Sequence, residues 1–302
     1  MAIYHLTAKI ITRAKGQSAI ACAAYRAGEK MVDERQGEVF DYTRKMHVAH
    51  SEILLPEHAP AWMQDREKLW NAVEQTEKRK DAQLAREVQV ALPRELTLGQ
   101  NIELTREFVR NQFVSRGMVA DFNIHLEKAS DGESQPHAHI LLTMREVTAS
   151  GFGGKVRQWN DRNNLHEWRQ QWAEYTNRHL SLNGHDLRID HRTLAEQGID
   201  LEPQKKIGAS PVWQRMAAHG DHIAIAERNG EKLLCNPEIV LDVLTHQQSS
   251  FTHHDIARII NRYTASQEQF QAVYEKVKVL PELVHLGTDA KNRKRSENHI
   301  FF

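Results

Sequence analysis

The sequence has little from which a disulfide framework could be built. Its 302 residues contain only two cysteines, Cys22 and Cys235, far apart in the chain, which suits a reducing compartment. No apolar run is long enough to span a bilayer. The opening residues MAIYHLTAKII lack the basic segment, long apolar core and cleavage site of a secretory signal. A cytoplasmic protein is therefore expected. Net charge is also lacking, with 40 basic residues against 40 acidic ones. That balance argues against general coating of nucleic acid, but it leaves room for a local basic groove. No GxxxxGK[ST] loop is present, so no nucleotide hydrolysis is expected.

What remains is an ordinary globular composition, 40% hydrophobic and 26% charged, in a length suited to one large domain and a smaller one. Residues 2–11 alternate as a strand. After a loop with Gly16, Ser18 stands as the N-cap of a helix rich in small residues, SAIACAAYRAGEKM, where Tyr25 is the one large polar side chain. Residues 31–58 read as loop-rich. An amphipathic helix over 61–79 precedes a strand, LAREVQVALP, with Val88, Val90 and Leu92 on one face and Glu87 and Gln89 on the other. Thr97 and Gln100 form a capping-box pair for a helix running to about Ser115, with Gly117 as its stop.

The sequences MVADFNIHLEK and HAHILLTMREV, joined by the turn ASDGESQP, then read as a half-buried antiparallel hairpin. A helix over 160–183 follows. Residues 198–212 read as a linker, and two short helices separated by a polar turn are expected over 236–264.

The hairpin carries the main chemical signal. His137 and His139 are two apart and share a face, and His125 lies on the polar face of the preceding strand. Three neutral imidazoles from two paired strands can bind a divalent cation while leaving positions open for substrate. With 18 histidines in the chain a His-x-His pair alone carries little weight; the third histidine on the matching face gives the pattern its force. Glu87 is open to two readings, a solvent-facing strand residue or a carboxylate that orients a ligand or accepts a proton. Tyr25 is likewise either a packing residue or a nucleophile whose normally high pKa a nearby metal or base would offset. The glycine-rich GFGGK at 151–155 reads as a tight turn. Lys15, Arg145, Lys155 and Arg157 are candidate phosphate contacts, with a solvated basic loop as the ordinary alternative.

Seven stretches together resemble a known family: MAIYHLTAKII, GQSAIACAAYRAG, AREVQVALPREL, NIHLEK, QPHAHILLTMR, HEWRQQWAEYTNRHL and DHRTLAEQGIDLEP. They fall in order across residues 1–208 and are similar to the MobA/MobL relaxases of mobilisable and conjugative plasmids, especially the N-terminal part of TraA-type transfer proteins. These belong to the HUH endonucleases, and His137-Ala138-His139 matches the motif that names them.

The resemblance implies an α+β fold, with a central antiparallel sheet backed by helices over 1–208. A small, mainly helical segment over 209–302 resembles the region that precedes a helicase. It further implies that His125, His137 and His139 bind one divalent ion, magnesium or manganese, that Tyr25 is the nucleophile, and that Glu87 activates Tyr25 or orients a ligand. The implied activity is strand-specific nicking at an origin of transfer through a 5′-phosphotyrosine, with later rejoining. The implied partners are single-stranded or hairpin DNA, accessory relaxosome proteins and a type IV secretion coupling protein, and export with the DNA is a further implication. A non-cleaving origin-binding module and a metal-dependent DNA hydrolase are the competing readings.

Overall fold

The computed structural model describes residues 4–128, 132–204, 212–288 and 298–301. The chain forms two compact units, Met1–His185 and Asp186–Phe302. The division falls earlier than the expected one after residue 208. Residues beyond 185 join the second unit through Arg188 N–H, which donates to Gln247 O at 2.7 Å, and through buried Ile189, Ile199 and Leu201. Asn229 also bonds both the N–H and the C=O of Glu202. The first part of the expected linker is thus packed chain; residues 205–211 lie outside the described residues.

The first unit runs β1 (Leu6–Thr12), α1 (Ala19–Ala27), β2 (Lys30–Asp33), β3 (Glu38–Asp41), β4 (Val48–Leu54), α2 (Arg66–Thr76), β5 (Gln83–Ala91), α3 (Leu98–Gln112), β6 (Ala120–Lys128), β7 (Ser134–Leu142), β8 (Arg145–Thr148), β9 (Gly151–Lys155) and α4 (Arg162–Leu182). Five strands form one antiparallel sheet in the order β1-β5-β7-β6-β4.

One sheet face is apolar. Leu6, Val88, Val90, Phe122, Ile124, Ala138 and Ile140 are buried on it. On this side α3 packs on β4 and α4, and α4 packs on β1. Phe108 of α3 meets Trp172 of α4 edge-on, with centroids 5.0 Å apart.

The opposite face lies beneath α1 and α2. At one end it is apolar, where Ile11, Ala85 and Leu141 share a core with Ala19, Ile20, Ala23 and Ala24 of α1 and Leu69, Trp70 and Val73 of α2. Toward the other end it becomes polar. The hairpin is therefore not half-exposed as its alternation suggested: helices cover both faces, and even the polar-face residues Asp121, Asn123 and His125 are fully buried. Such groups need partners. Asp121 accepts hydrogen bonds from Trp70 Nε1 at 3.0 Å and Arg66 Nε at 2.9 Å, and Asn123 bonds both Asp121 and Ser51.

Three local expectations are corrected. Residues 31–58 hold the β2–β3 hairpin and β4, whose partner β6 lies some seventy residues away in the sequence. The sequence GFGGK is a strand, β9, paired with β8, and the reversal comes just before it. The β7 strand ends at Leu142 because the next residue turns to Val119: Thr143 N–H donates to Val119 O and Thr143 Oγ1 accepts from Val119 N–H. The Thr97–Gln100 capping box is as expected, but α3 ends at Gln112, and the left-handed Gly117 closes the 3-10 turn over Val114–Arg116 that follows it.

The second unit contains α5 (Val212–Cys235), α6 (Glu238–Thr245), β10 (Ser250–Thr252), α7 (His253–Tyr263), α8 (Gln267–Val277), β11 (Val284–Thr288) and β12 (Asn298–Phe301). The two expected helices are α6 and α7. The small sheet, ordered β10-β12-β11, is an addition.

Candidate active site

In the β6–β7 register His125 lies directly opposite His137, and His139 faces Asn123 two pairs further on. Residues two apart share a face, so all three imidazoles project from the α1 side. Their ring centroids are 4.7–5.3 Å apart, and one ligand nitrogen from each lies within 4.8 Å of the others.

Hydrogen bonds decide which nitrogen each ring can offer. His125 Nε2 meets the Arg26 carbonyl at 2.7 Å. A carbonyl only accepts, so this nitrogen carries the proton and Nδ1 keeps the lone pair. His137 Nδ1 donates to Gln135 O at 3.0 Å, and His139 Nδ1 donates to Glu87 Oε1 at 2.7 Å. Each ring is thus fixed by a hydrogen bond through one nitrogen, which turns the lone pair of the other nitrogen toward the cluster, the outer arrangement of a metal-binding histidine. The donor set fits a divalent transition ion. Burial, the first cause, lowers the His125 pKa to about 3, and nearby Lys45 and the other two imidazoles add to the shift. Burial also lowers that of His139. The two rings are neutral at physiological pH, as ligation requires.

The α1 helix brings the phenol to this group. Ser18 caps it by accepting from Ala21 N–H, and the buried Ala19, Ala23 and Ala24 let it lie close against the neighbouring core. It ends at Gly28, whose φ of 67° is left-handed. Tyr25, in the last turn, is 46% exposed. Its ring meets Tyr42 edge-on at 5.3 Å, and Lys45 Nζ sits 3.7 Å from its centroid. The same Nζ lies 3.4 Å from His125 Nδ1. A single ammonium therefore separates the phenol ring from the imidazole cluster.

Arg26 ties the pieces together. Its carbonyl holds His125, while its Nε donates at 2.7 Å to the Glu87 oxygen that also holds His139. Lys9 Nζ lies 2.8 Å from the other Glu87 oxygen. Burial pushes the Glu87 pKa upward, but hydrogen bonds from His139, Arg26 and Lys9 outweigh it and hold the carboxyl well below the usual carboxylate range. Glu87 is an ionised anchor.

Residues 17–216 match the MobA/MobL family. The chain belongs to that family. It is 37% identical to the conjugal transfer protein TraA of Agrobacterium fabrum, over 96% of its own length and 30% of the relative's. It is 41% identical to the mobilization protein MobL of Acidithiobacillus ferridurans, over 69% of this chain and 62% of that one. The chain therefore spans about 30% of the length of the TraA relative and somewhat under two thirds of MobL. A solved structure described as "Molecular Basis of Vancomycin Resistance Transfer in Staphylococcus aureus" is 37% identical, with a TM-score of 0.59, and covers 64% of this chain and 100% of that one. Among the described residues, no helix is long and apolar enough to cross a membrane.

In this MobA/MobL chain the sequence-predicted residues divide into two groups. The three histidines, Glu87 and Tyr25 gather at one end of the sheet. Arg145 and Lys155 lie past the far end of β7, where both pair with Glu77 Oε1, at 2.8 and 3.1 Å. Lys15 and Arg157 are exposed, in 3-10 turns before α1 and after β9. Sequence reasoning missed Arg26 and Lys45. Arg26 has a faint signal, a long cation inside a run of small residues. Lys45 has none.

Proposed function

We propose that this chain is a DNA relaxase that nicks one strand at an origin of transfer, with Tyr25 as nucleophile. The observation that carries the reading is the convergence of three imidazole lone pairs beside an exposed tyrosine. The MobA/MobL membership and the names of the TraA and MobL relatives support it.

His125 Nδ1, His137 Nε2 and His139 Nε2 hold the cation. An all-imidazole set suits manganese better than magnesium, which prefers oxygen ligands. When bound, the ion supplies Lewis-acid stabilisation of the charge on the non-bridging oxygens of the scissile phosphate. Tyr25 Oη attacks phosphorus as its proton leaves to solvent. The bond to the 3′ oxygen breaks in line, and that oxygen takes up a proton. The products are a 5′-phosphotyrosine and a free 3′-hydroxyl. One phosphodiester replaces another, so the step is reversible and the strand can be rejoined. Glu87 positions His139; its oxygens are committed to three donors, which favours that role over activation of Tyr25. Single-stranded or hairpin DNA is the substrate, and Lys15 and Arg157 are the better placed of the expected phosphate contacts. Accessory relaxosome proteins, a secretion coupling protein, action in the cytoplasm and export with the DNA belong to the same proposal.

The test is a denaturing gel after incubation with manganese and single-stranded DNA tiling the region around the chain's own gene. A covalent protein–DNA band that disappears in Tyr25→Phe is expected. Cleavage that survives Tyr25→Phe indicates a hydrolase, and binding without any cleavage indicates an origin-binding module.

A further inference from the structure

Lys45 touches three groups with one ammonium. Its Nζ lies 3.7 Å from the Tyr25 ring centroid, 3.2 Å from the Tyr25 carbonyl oxygen and 3.4 Å from His125 Nδ1. The approach to His125 is the informative one. Because His125 Nε2 is committed to the Arg26 carbonyl, Nδ1 holds the only lone pair that ring can give to a metal. The ammonium donates into that lone pair. A lone pair cannot serve an N–H donor and a metal together, and a divalent ion there would also face a positive charge a few ångströms away.

We propose that Lys45 is the resident cation of this site: it caps His125 Nδ1 and braces Tyr25 in the metal-free protein, and metal binding displaces it from both. This rests on the three histidines being the metal ligands, as in the function proposed above. Two consequences follow from the geometry. Lys45 competes with the ion, so the wild-type site binds metal more weakly than its ligands alone would allow. Metal occupancy is also transmitted to the nucleophile, because the ammonium leaving His125 is the one resting on the phenol ring. A cation over an aromatic face, once removed, releases a constraint on that ring. The freed ammonium, off the ring but still tethered near the site, is available to an incoming phosphate.

The experiment uses the full chain without DNA, so it does not depend on nicking. Manganese affinity is measured by calorimetry for wild type, Lys45→Met and Lys45→Arg, with circular dichroism to confirm folding. Met keeps most of the side-chain volume and removes the charge. Lys45→Met is expected to bind manganese about tenfold more tightly, an effect of the size seen for groups adjoining metal ligands, with Lys45→Arg near wild type. A 3-fluorotyrosine at position 25 gives the second readout, with zinc as the ion because it is diamagnetic and accepts imidazole ligands. Its fluorine resonance moves when zinc saturates the wild type, and in Lys45→Met it starts near the saturated position and barely moves. Equal or weaker manganese affinity in folded Lys45→Met overturns this inference and leaves the metal site standing. No binding by either protein overturns both.

Discussion

Glu87 Oε1 accepts the His139 Nδ1 proton at 2.7 Å, and this one bond fixes which His139 nitrogen faces the cluster. The carboxylate is almost fully buried and also neutralises Arg26. Replacing Glu87 by Ala removes a ligand-orienting partner, and a 10–100-fold loss of manganese affinity is expected. It also leaves Arg26 buried without its counter-charge, at a cost of about 3–5 kcal/mol. Glu87→Gln keeps an acceptor for His139 and should retain more metal affinity than Ala. Calorimetry and thermal melts check both effects; an unchanged affinity in Glu87→Ala removes the positioning role.

Acid should weaken the metal-free fold earlier than carboxylate titration alone would. His125 has its pKa depressed to about 3 in the folded state, against about 6.5 in the unfolded chain. The unfolded state therefore binds the proton first, and stability is lost as pH falls from about 6.5 toward 3. His139 shifts in the same direction. Glu87, also depressed, adds its loss only below its unfolded value of about 4.3. Melts in a chelator at pH 7 and pH 5 should show a smaller drop for His125→Gln than for wild type. Parallel drops in the two proteins would rule out this assignment.

The small side chains of α1 set how near the phenol comes to the imidazoles. Ala24 is fully buried, so Ala24→Leu overpacks the core by about 1–3 kcal/mol and should reduce cleavage beyond what the lower stability explains. Gly28 is constrained in another way. It has φ +67°, and a Cβ there would lie 3.1 Å from Val48 Cγ2. Gly28→Ala should cost about 1 kcal/mol or more. Melting curves and single-turnover cleavage rates measure both variants.

The four basic residues expected at DNA should behave in two ways. Arg145→Ala strips buried Glu77 of a partner and should lower the melting temperature without altering DNA binding. Lys15→Ala and Arg157→Ala should leave stability unchanged, and each should lower the salt slope of DNA binding by about 1, the effect of removing one phosphate-binding cation. A reduced slope in Arg145→Ala would return it to the DNA surface.

The legible parts of the sequence were those written in local periodicity. Alternation over 120–126 and 137–142 places His125, His137 and His139 on one face, and antiparallel pairing does the rest. The cap at Ser18 and the box at Thr97 are equally local signals. Strands β2 to β4 were hidden: the β2–β3 hairpin is short, and the face of β4 that holds His50 and Glu52 carries no apolar alternation. Arg26 and Lys45 were hidden for a related reason. Their decisive partners, Glu87 and His125, are 61 and 80 residues away, and nothing near either cation announces them. Burial of the polar hairpin face was missed because strand alternation describes one sheet, not the helices laid over it.

The carbonyl that fastens His125 belongs to the residue directly after Tyr25. Adjacent residues thus carry the phenol and the carbonyl that orients His125, so any shift of the last turn of α1 moves both. Loops elsewhere can lengthen or change partners without disturbing that spacing. Under the proposed function, the reach from the Tyr25 oxygen to a bound ion is set at this joint of helix and sheet, and DNA specificity would be free to diverge around it.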